Sequence, residues 1–228
     1  MLRVGNSLRH VAAFITILGA LQSPPALGDA QAVTPLGEFA QIDTRLADAA
    51  IQLLSEGTSE EKREIVARIR ARPEDYAPPV FYVLSNMLFA GGEKEEGAFW
   101  FYAGQLRARI DANICADSSA QEAVGALNML YGAPINQYTF QDIQKLEELV
   151  LKVLDWERRT PYNYDRRWIN LFGMAAFTTL LGAEDGTSAQ TSLSYPEAQW
   201  KEIAENTRVE YLIDFHDVVR SMEDEDDQ

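Results

Sequence analysis

The sequence predicts an all-α protein of about eight helices packed as antiparallel pairs, either helical-repeat-like or an irregular bundle. Three observations predict it. Apolar residues recur at three-and-four spacing along most of the chain, cap and breaker residues separate those stretches, and no stretch alternates as a strand does. With 228 residues, 46% of them hydrophobic, the chain can build one substantial core.

Phe39, Ile42, Leu46, Ala50, Leu53 and Leu54 mark a first helix that ends at Gly57. Thr58 and Glu61 form a capping box for a second, with Ile65, Val66 and Ile69 on one face and Pro73 stopping it near Arg72. Pro78 and Pro79 suit the first turn of a third, which carries Val80, Phe81, Leu84, Met87 and Leu88 to Gly91-Gly92. A longer helix runs from about Glu93 to Asn113. Ser119 to Glu122 caps the next, with Val124, Leu127 and Leu130. Gly132 is expected to end it, leaving Tyr131 to Tyr138 as an ordered loop. Thr139 to Asp142 opens a helix carrying Ile143, Leu146, Val150, Val153 and Leu154. Trp168 to Leu181 reads as a buried apolar helix ended by Gly182, and Gly186 to Ser192 as a polar loop. Ser194 to Glu197 caps a last helix with Trp200, Ile203, Tyr211, Leu212 and Phe215.

The two ends differ from this body, which spans 31–221 as a single all-α domain. Arg3 and Arg9, the apolar run Val11 to Leu21 and the helix-breaking Gln22 to Ala30 have the pattern of a secretory signal peptide over residues 1–30. Cleavage after Gly28 or Ala30 fits, and a periplasmic or secreted location is expected in a bacterial context. Residues 222–228 (MEDEDDQ) hold five acidic side chains and are expected to be a disordered tail. The net charge of -15 becomes -16 once Arg3, Arg9 and Asp29 leave with the leader. So acidic a surface argues against a nucleic-acid partner, because phosphates need clustered Lys and Arg. The apolar runs near 11–21 and 171–183 fall short of the roughly 20 residues of a bilayer span.

One segment resembles a known repeat. In residues 80–106, Leu84 and Ser85 stand in the first helix, Gly91-Gly92 at the turn, Ala98 at the packing position of the second helix, and Phe101 and Tyr102 after it. This stretch is similar to a tetratricopeptide-like unit of the Sel-one-like kind. The resemblance implies a helix pair closed at Ala98 and a partner-binding scaffold.

Two stretches offer candidate binding residues. Phe99 to Tyr102 sets aromatics around more than half a helix, which reads as core packing or an aromatic ligand site that includes Trp100. Arg107, Arg109 and Asp111 follow, with Arg107 and Asp111 spaced to pair on the surface. Residues 160–168 (TPYNYDRRW) combine Tyr162, Tyr164, Arg166, Arg167 and Trp168. Such a mixture suits a protein interface, or a capped helix start with Asp165 near its amino end.

Motifs for chemistry are missing. The sequence has no phosphate loop, no HExxH, no Cys/His cluster and no GxSxG elbow, so no catalytic residue, metal ligand set or cofactor is assigned. His216 is the one imidazole left after the leader, and Cys115 the one thiol, expected to be a small buried hydrophobe. The expected function is an exported, non-enzymatic helical protein that binds another protein, a basic one by charge, as an immunity, inhibitor or adaptor protein does. The alternative is a periplasmic hydrolase using two carboxylates on cell-wall glycan.

Overall fold

The computed structural model describes residues 37–174, 176 and 192–226. Residues 1–36, 175, 177–191 and 227–228 lie outside the described residues, and with them the expected signal peptide, the later part of the apolar helix expected to Leu181 and most of the polar loop Gly186 to Ser192. A 3-10 turn at Gly37–Gln41 precedes α1 (Arg45–Glu56) and α2 (Ser59–Ala71). After a short turn at Pro73–Asp75 come α3 (Pro78–Ala90) and α4 (Lys94–Ile114). A turn at Ser118–Ala120 leads into α5 (Gln121–Thr139) and α6 (Ile143–Arg159). A 3-10 stretch at Arg166–Phe172 and the long α7 (Glu197–Asp226) complete the order. Among the described residues the fold is all-α and contains no strand; Cys115 and Ser194 form an isolated antiparallel bridge.

Local chemistry sets most boundaries. Thr58 and Glu61 cap α2 reciprocally: the Thr58 N–H donates to Glu61 Oε2 at 2.8 Å, and the Glu61 N–H to Thr58 Oγ1 at 3.3 Å. Asp142 caps α6 by accepting from the Lys145 N–H at 3.1 Å. Pro78 and Pro79 open α3 where no intrahelical donor is needed.

α4 is the axis of the fold. It packs against α3, α5, α6, α7 and the 166–172 stretch, so Trp100, Phe101, Tyr102, Leu106, Ile110 and Ile114 are all buried. The aromatic run therefore belongs to the core. Trp100 lies 5.2 Å from Phe81, 5.3 Å from Phe99 and 5.8 Å from Trp156, centroid to centroid.

α3 and α4 run antiparallel, since Gly97 meets Phe89 while Gly104 meets Phe81 and Pro78. The close approach falls at glycine. A Cβ on Gly97 would lie 2.8 Å from Phe89 Cβ, and one on Gly104 3.1 Å from Phe81 Cβ. The Ser85 hydroxyl donates to the Gly97 carbonyl at 2.6 Å. Ala98, the expected packing position, is buried on another side, beside Tyr138 and Leu146 near the α5–α6 turn.

Four expected bounds are corrected. Phe39 lies in the opening 3-10 turn and Ile42 in the link after it, so α1 starts only at Arg45. α5 does not end at Gly132 but runs on through Pro134 to Thr139. Gly132 is there because the Phe101 ring needs the space, a Cβ coming within 3.0 Å of Phe101 Cζ. Pro134 removes one backbone bond on the exposed side of α5, where water can replace it. Trp168 starts no α-helix: Arg166–Phe172 is 3-10 and breaks at Gly173. At the far end, α7 includes Met222 to Asp226, which the sequence sets apart as an acidic tail.

Candidate functional site

Most of the expected binding residues lie within the fold. Arg107 and Asp111 are both 0% exposed and form no surface pair. Asp111 Oδ2 accepts from the Tyr164 hydroxyl and from Trp168 Nε1, each at 2.8 Å, and Oδ1 accepts from Arg166 Nε at 2.7 Å. Arg107 Nη2 donates to the carbonyls of Thr160 (2.5 Å) and Pro161 (2.9 Å). Its guanidinium carbon sits 4.2 Å from the Tyr162 ring centre and 4.9 Å from that of Trp156. The Arg166 guanidinium carbon lies 3.8 Å from the same Tyr162 ring centre and 5.2 Å from that of Trp200. The Tyr162 hydroxyl donates to Glu157, which also accepts from Arg208. Arg107 Nε and Nη1 and Arg166 Nη2 remain buried without a hydrogen-bond partner, on guanidiniums that ring faces help to balance.

This cluster clips residues 160–168 onto α4. Burial pushes the Asp111 carboxyl up, against the pull of Arg166, and pushes the Tyr164 hydroxyl well above its ordinary range. Trp168 is buried, and Tyr162, Tyr164 and Arg166 are half-buried, with both hydroxyls and Arg166 Nε engaged. Arg167 keeps 38% of its side chain exposed and pairs with Asp165 at 2.7 Å. Asp165 also accepts from the Arg167 N–H at 3.0 Å and so caps the 3-10 stretch that follows. Cys115 is buried and donates to Asn170 Oδ1 at 2.9 Å; burial pushes its thiol up to about 11.

Arg109, of the expected set, lines an open cavity. α5 and α7 flank α4 with a groove between them, and two cavities lie along it. One, of about 240 Å³, is walled by Tyr102, Val124, Phe140, Leu146, Phe215 and Val218, among others. The second, of about 410 Å³, is walled by Asn113, Gln121, Gly125 and Glu210. Arg109, Val124 and Asn128 border both. The Arg109 guanidinium donates to Asp214 at 2.6 Å, across the groove from α4 to α7.

Three amides in this groove are oriented by tyrosines. The Tyr82 hydroxyl donates to Asn128 Oδ1 at 2.8 Å, Tyr102 to Asn136 Oδ1 at 3.0 Å, and Tyr211 to Gln105 Oε1 at 2.6 Å. Each carbonyl is thereby occupied, and the NH₂ groups of Asn128, Asn136 and Gln105 are left as solvent-reached donors among apolar side chains and the Arg109–Asp214 pair. Burial pushes the hydroxyls of Tyr82, Tyr102 and Tyr211 above the ordinary tyrosine range, so they stay protonated donors. Sequence reasoning reached Tyr102 only as part of the aromatic run and missed the other five as site residues, because nothing local marks an amide whose partner lies on another helix. Among the described residues, no group of three or more His, Cys, Asp or Glu is placed to hold a metal ion, and no helix is long and apolar enough to cross a membrane.

An all-α protein with a donor-lined groove on a buried central helix is the class that fold and site define. Compared with known proteins, the chain matches no family model, no curated protein and no solved structure.

Proposed function

We propose that this chain is an exported binding protein that takes a segment of another protein into the groove over α4, with no turnover of its own. The observation that carries this reading is the set of three amides held by tyrosines. Their free NH₂ groups match the carbonyls of an unpaired peptide main chain, and the apolar walls between them match its side chains. The leader-like residues 1–30 support export. The similarity of residues 80–106 to Sel-one-like repeats supports a scaffold role, as an immunity, inhibitor or adaptor protein in the periplasm has.

A photo-reactive benzoylphenylalanine at Val124, in the groove, tests it against the same group at Glu64, exposed on α2. The expected result is one discrete cross-linked protein from position 124 and none from 64. Equal labelling at both positions, or none at 124, overturns the groove as the binding site. Hydrolysis of peptidoglycan by the purified chain, lost on replacing one carboxylate, puts the glycan hydrolase in its place.

A further inference from the structure

We infer that the segment bound in this groove is basic, with a lysine or arginine received by Glu210 and Asp214 and its apolar side chains laid against the lip of α5. The inference rests on the groove reading above and adds the chemistry of the occupant.

The two lips of the groove differ in kind. α5 has a single charged residue, Glu122, at its amino end. Gly125 lines the groove, and Met129, four residues on, follows it on the same face and is 84% exposed. Ala133 continues that line one turn later. A methionine so uncovered on a helix with one charge is an adaptable apolar contact that the described residues leave open. The opposite lip is acidic. Glu210, Asp214 and Asp217 recur at four-and-three spacing on α7 and are exposed. Asp217 is engaged by Arg220 at 3.2 Å. Asp214 is engaged by Arg109, but keeps 57% of its side chain open. Among the described residues Glu210 has no ion-pair partner, and it borders the second cavity.

The charges lining the two cavities decide the sign. Arg109 stands against Asp214 and Glu210, so the walls carry an excess of one negative charge, in a chain whose total is -15. An acidic segment would have to reach Arg109 past both carboxylates. A basic one meets Glu210 first and then Asp214, and needs no rearrangement of the α4–α7 ion pair. Its carbonyls meanwhile reach Asn128 and Gln105, which border the same space.

The test is a randomised octapeptide library on phage, panned against the purified chain and counter-selected on Gly125→Trp. Gly125 borders the second cavity and a Cβ there meets nothing within 4 Å, so an indole at this position is chosen to obstruct the groove. Gly125→Leu serves if Gly125→Trp loses its helical circular dichroism. The expected peptides pair Lys or Arg with apolar residues. As synthetic peptides they should bind the unaltered chain about tenfold or more tighter than the Glu210→Gln/Asp214→Asn chain, with the difference shrinking at high salt. Changing the peptide's basic residue to Gln should remove that same difference. Neutral peptides that bind both chains equally overturn the charge assignment and leave the groove standing. Acidic peptides overturn it in favour of Arg109. No peptide that distinguishes the unaltered chain from Gly125→Trp removes the groove reading, and this inference with it.

Discussion

Arg107 and Asp111 lie one turn apart on α4, both wholly buried, and each binds residues of the 160–168 segment instead of the other. Arg107 holds the start of the segment through the carbonyls of Thr160 and Pro161. Asp111 holds its end through Tyr164, Arg166 and Trp168. Two charges at the spacing of an ordinary surface pair thus become a two-point clip, because the tertiary fold covers that face of α4.

Breaking the clip at Asp111 should be costly. Asp111→Asn leaves the Arg166 guanidinium buried without its counter-charge, and a loss of about 3–5 kcal/mol in urea unfolding is expected. The double variant Asp111→Leu/Arg166→Met should recover part of that loss, since it removes both charges together. A change below about 1 kcal/mol in Asp111→Asn alone would show that the cluster does not hold the fold.

Within 160–168, Tyr164 and Arg167 should behave differently. Tyr164→Ala deletes a packed ring and one of the three donors to Asp111, and is expected to cost about 3–5 kcal/mol. Arg167→Ala removes a partly exposed pair with Asp165, for which less than about 1 kcal/mol is expected. Comparable midpoints for the two variants would contradict this placement.

Two glycines predict opposite signs for one substitution. Gly97→Ala forces its Cβ into the Phe89 backbone and should cost about 1–3 kcal/mol by overpacking. Gly125→Ala, in open space on α5, should stabilise by about 0.4–1 kcal/mol through helix propensity. Thermal unfolding of the two variants reads both signs.

Acid should weaken the fold through its engaged surface carboxylates. Arg70, and then Trp100, hydrogen-bond Glu96 and hold its carboxyl below the ordinary value of 4.5. Arg158, with Arg208, does the same for Glu205. The folded chain therefore binds these protons less tightly than the unfolded one. Their contribution is complete above pH 4.5 and is lost as the pH falls below it. Asp111 has the opposite sign: its raised folded value makes its own contribution fullest in acid, and it fades as the pH rises through that value. Glu96→Gln should show a shallower fall in unfolding free energy below pH 4.5 than the unaltered chain. An identical slope would count against this assignment.

The thiol of Cys115 should resist alkylation in the folded chain. It is buried, bonded to Asn170 and pushed up to about 11, so little thiolate exists near neutral pH. Iodoacetamide should label it in urea and scarcely at all in buffer, as read by mass spectrometry. Rapid labelling in buffer would show that the bridge between Cys115 and Ser194 opens readily.

The sequence by itself determined the helices whose signals are local. The Thr58–Glu61 box, the Asp142 cap and the Pro78-Pro79 start act within one turn of chain, and each lies where spacing places it. Its failures occur where a distant residue decides. Gly132 reads as a stop until the Phe101 ring of α4 claims its space, and Gly97, not Ala98, takes the close contact with α3. The groove was not legible for the same reason. Tyr82 and Asn128 are 46 residues apart, Tyr102 and Asn136 34, and Gln105 and Tyr211 106. Spacing along one helix carries no record of such pairs. Only the packing of α5 and α7 onto α4 brings each hydroxyl to its amide, and only the burial of the 160–168 face turns its tyrosines and arginines from a surface into a clip.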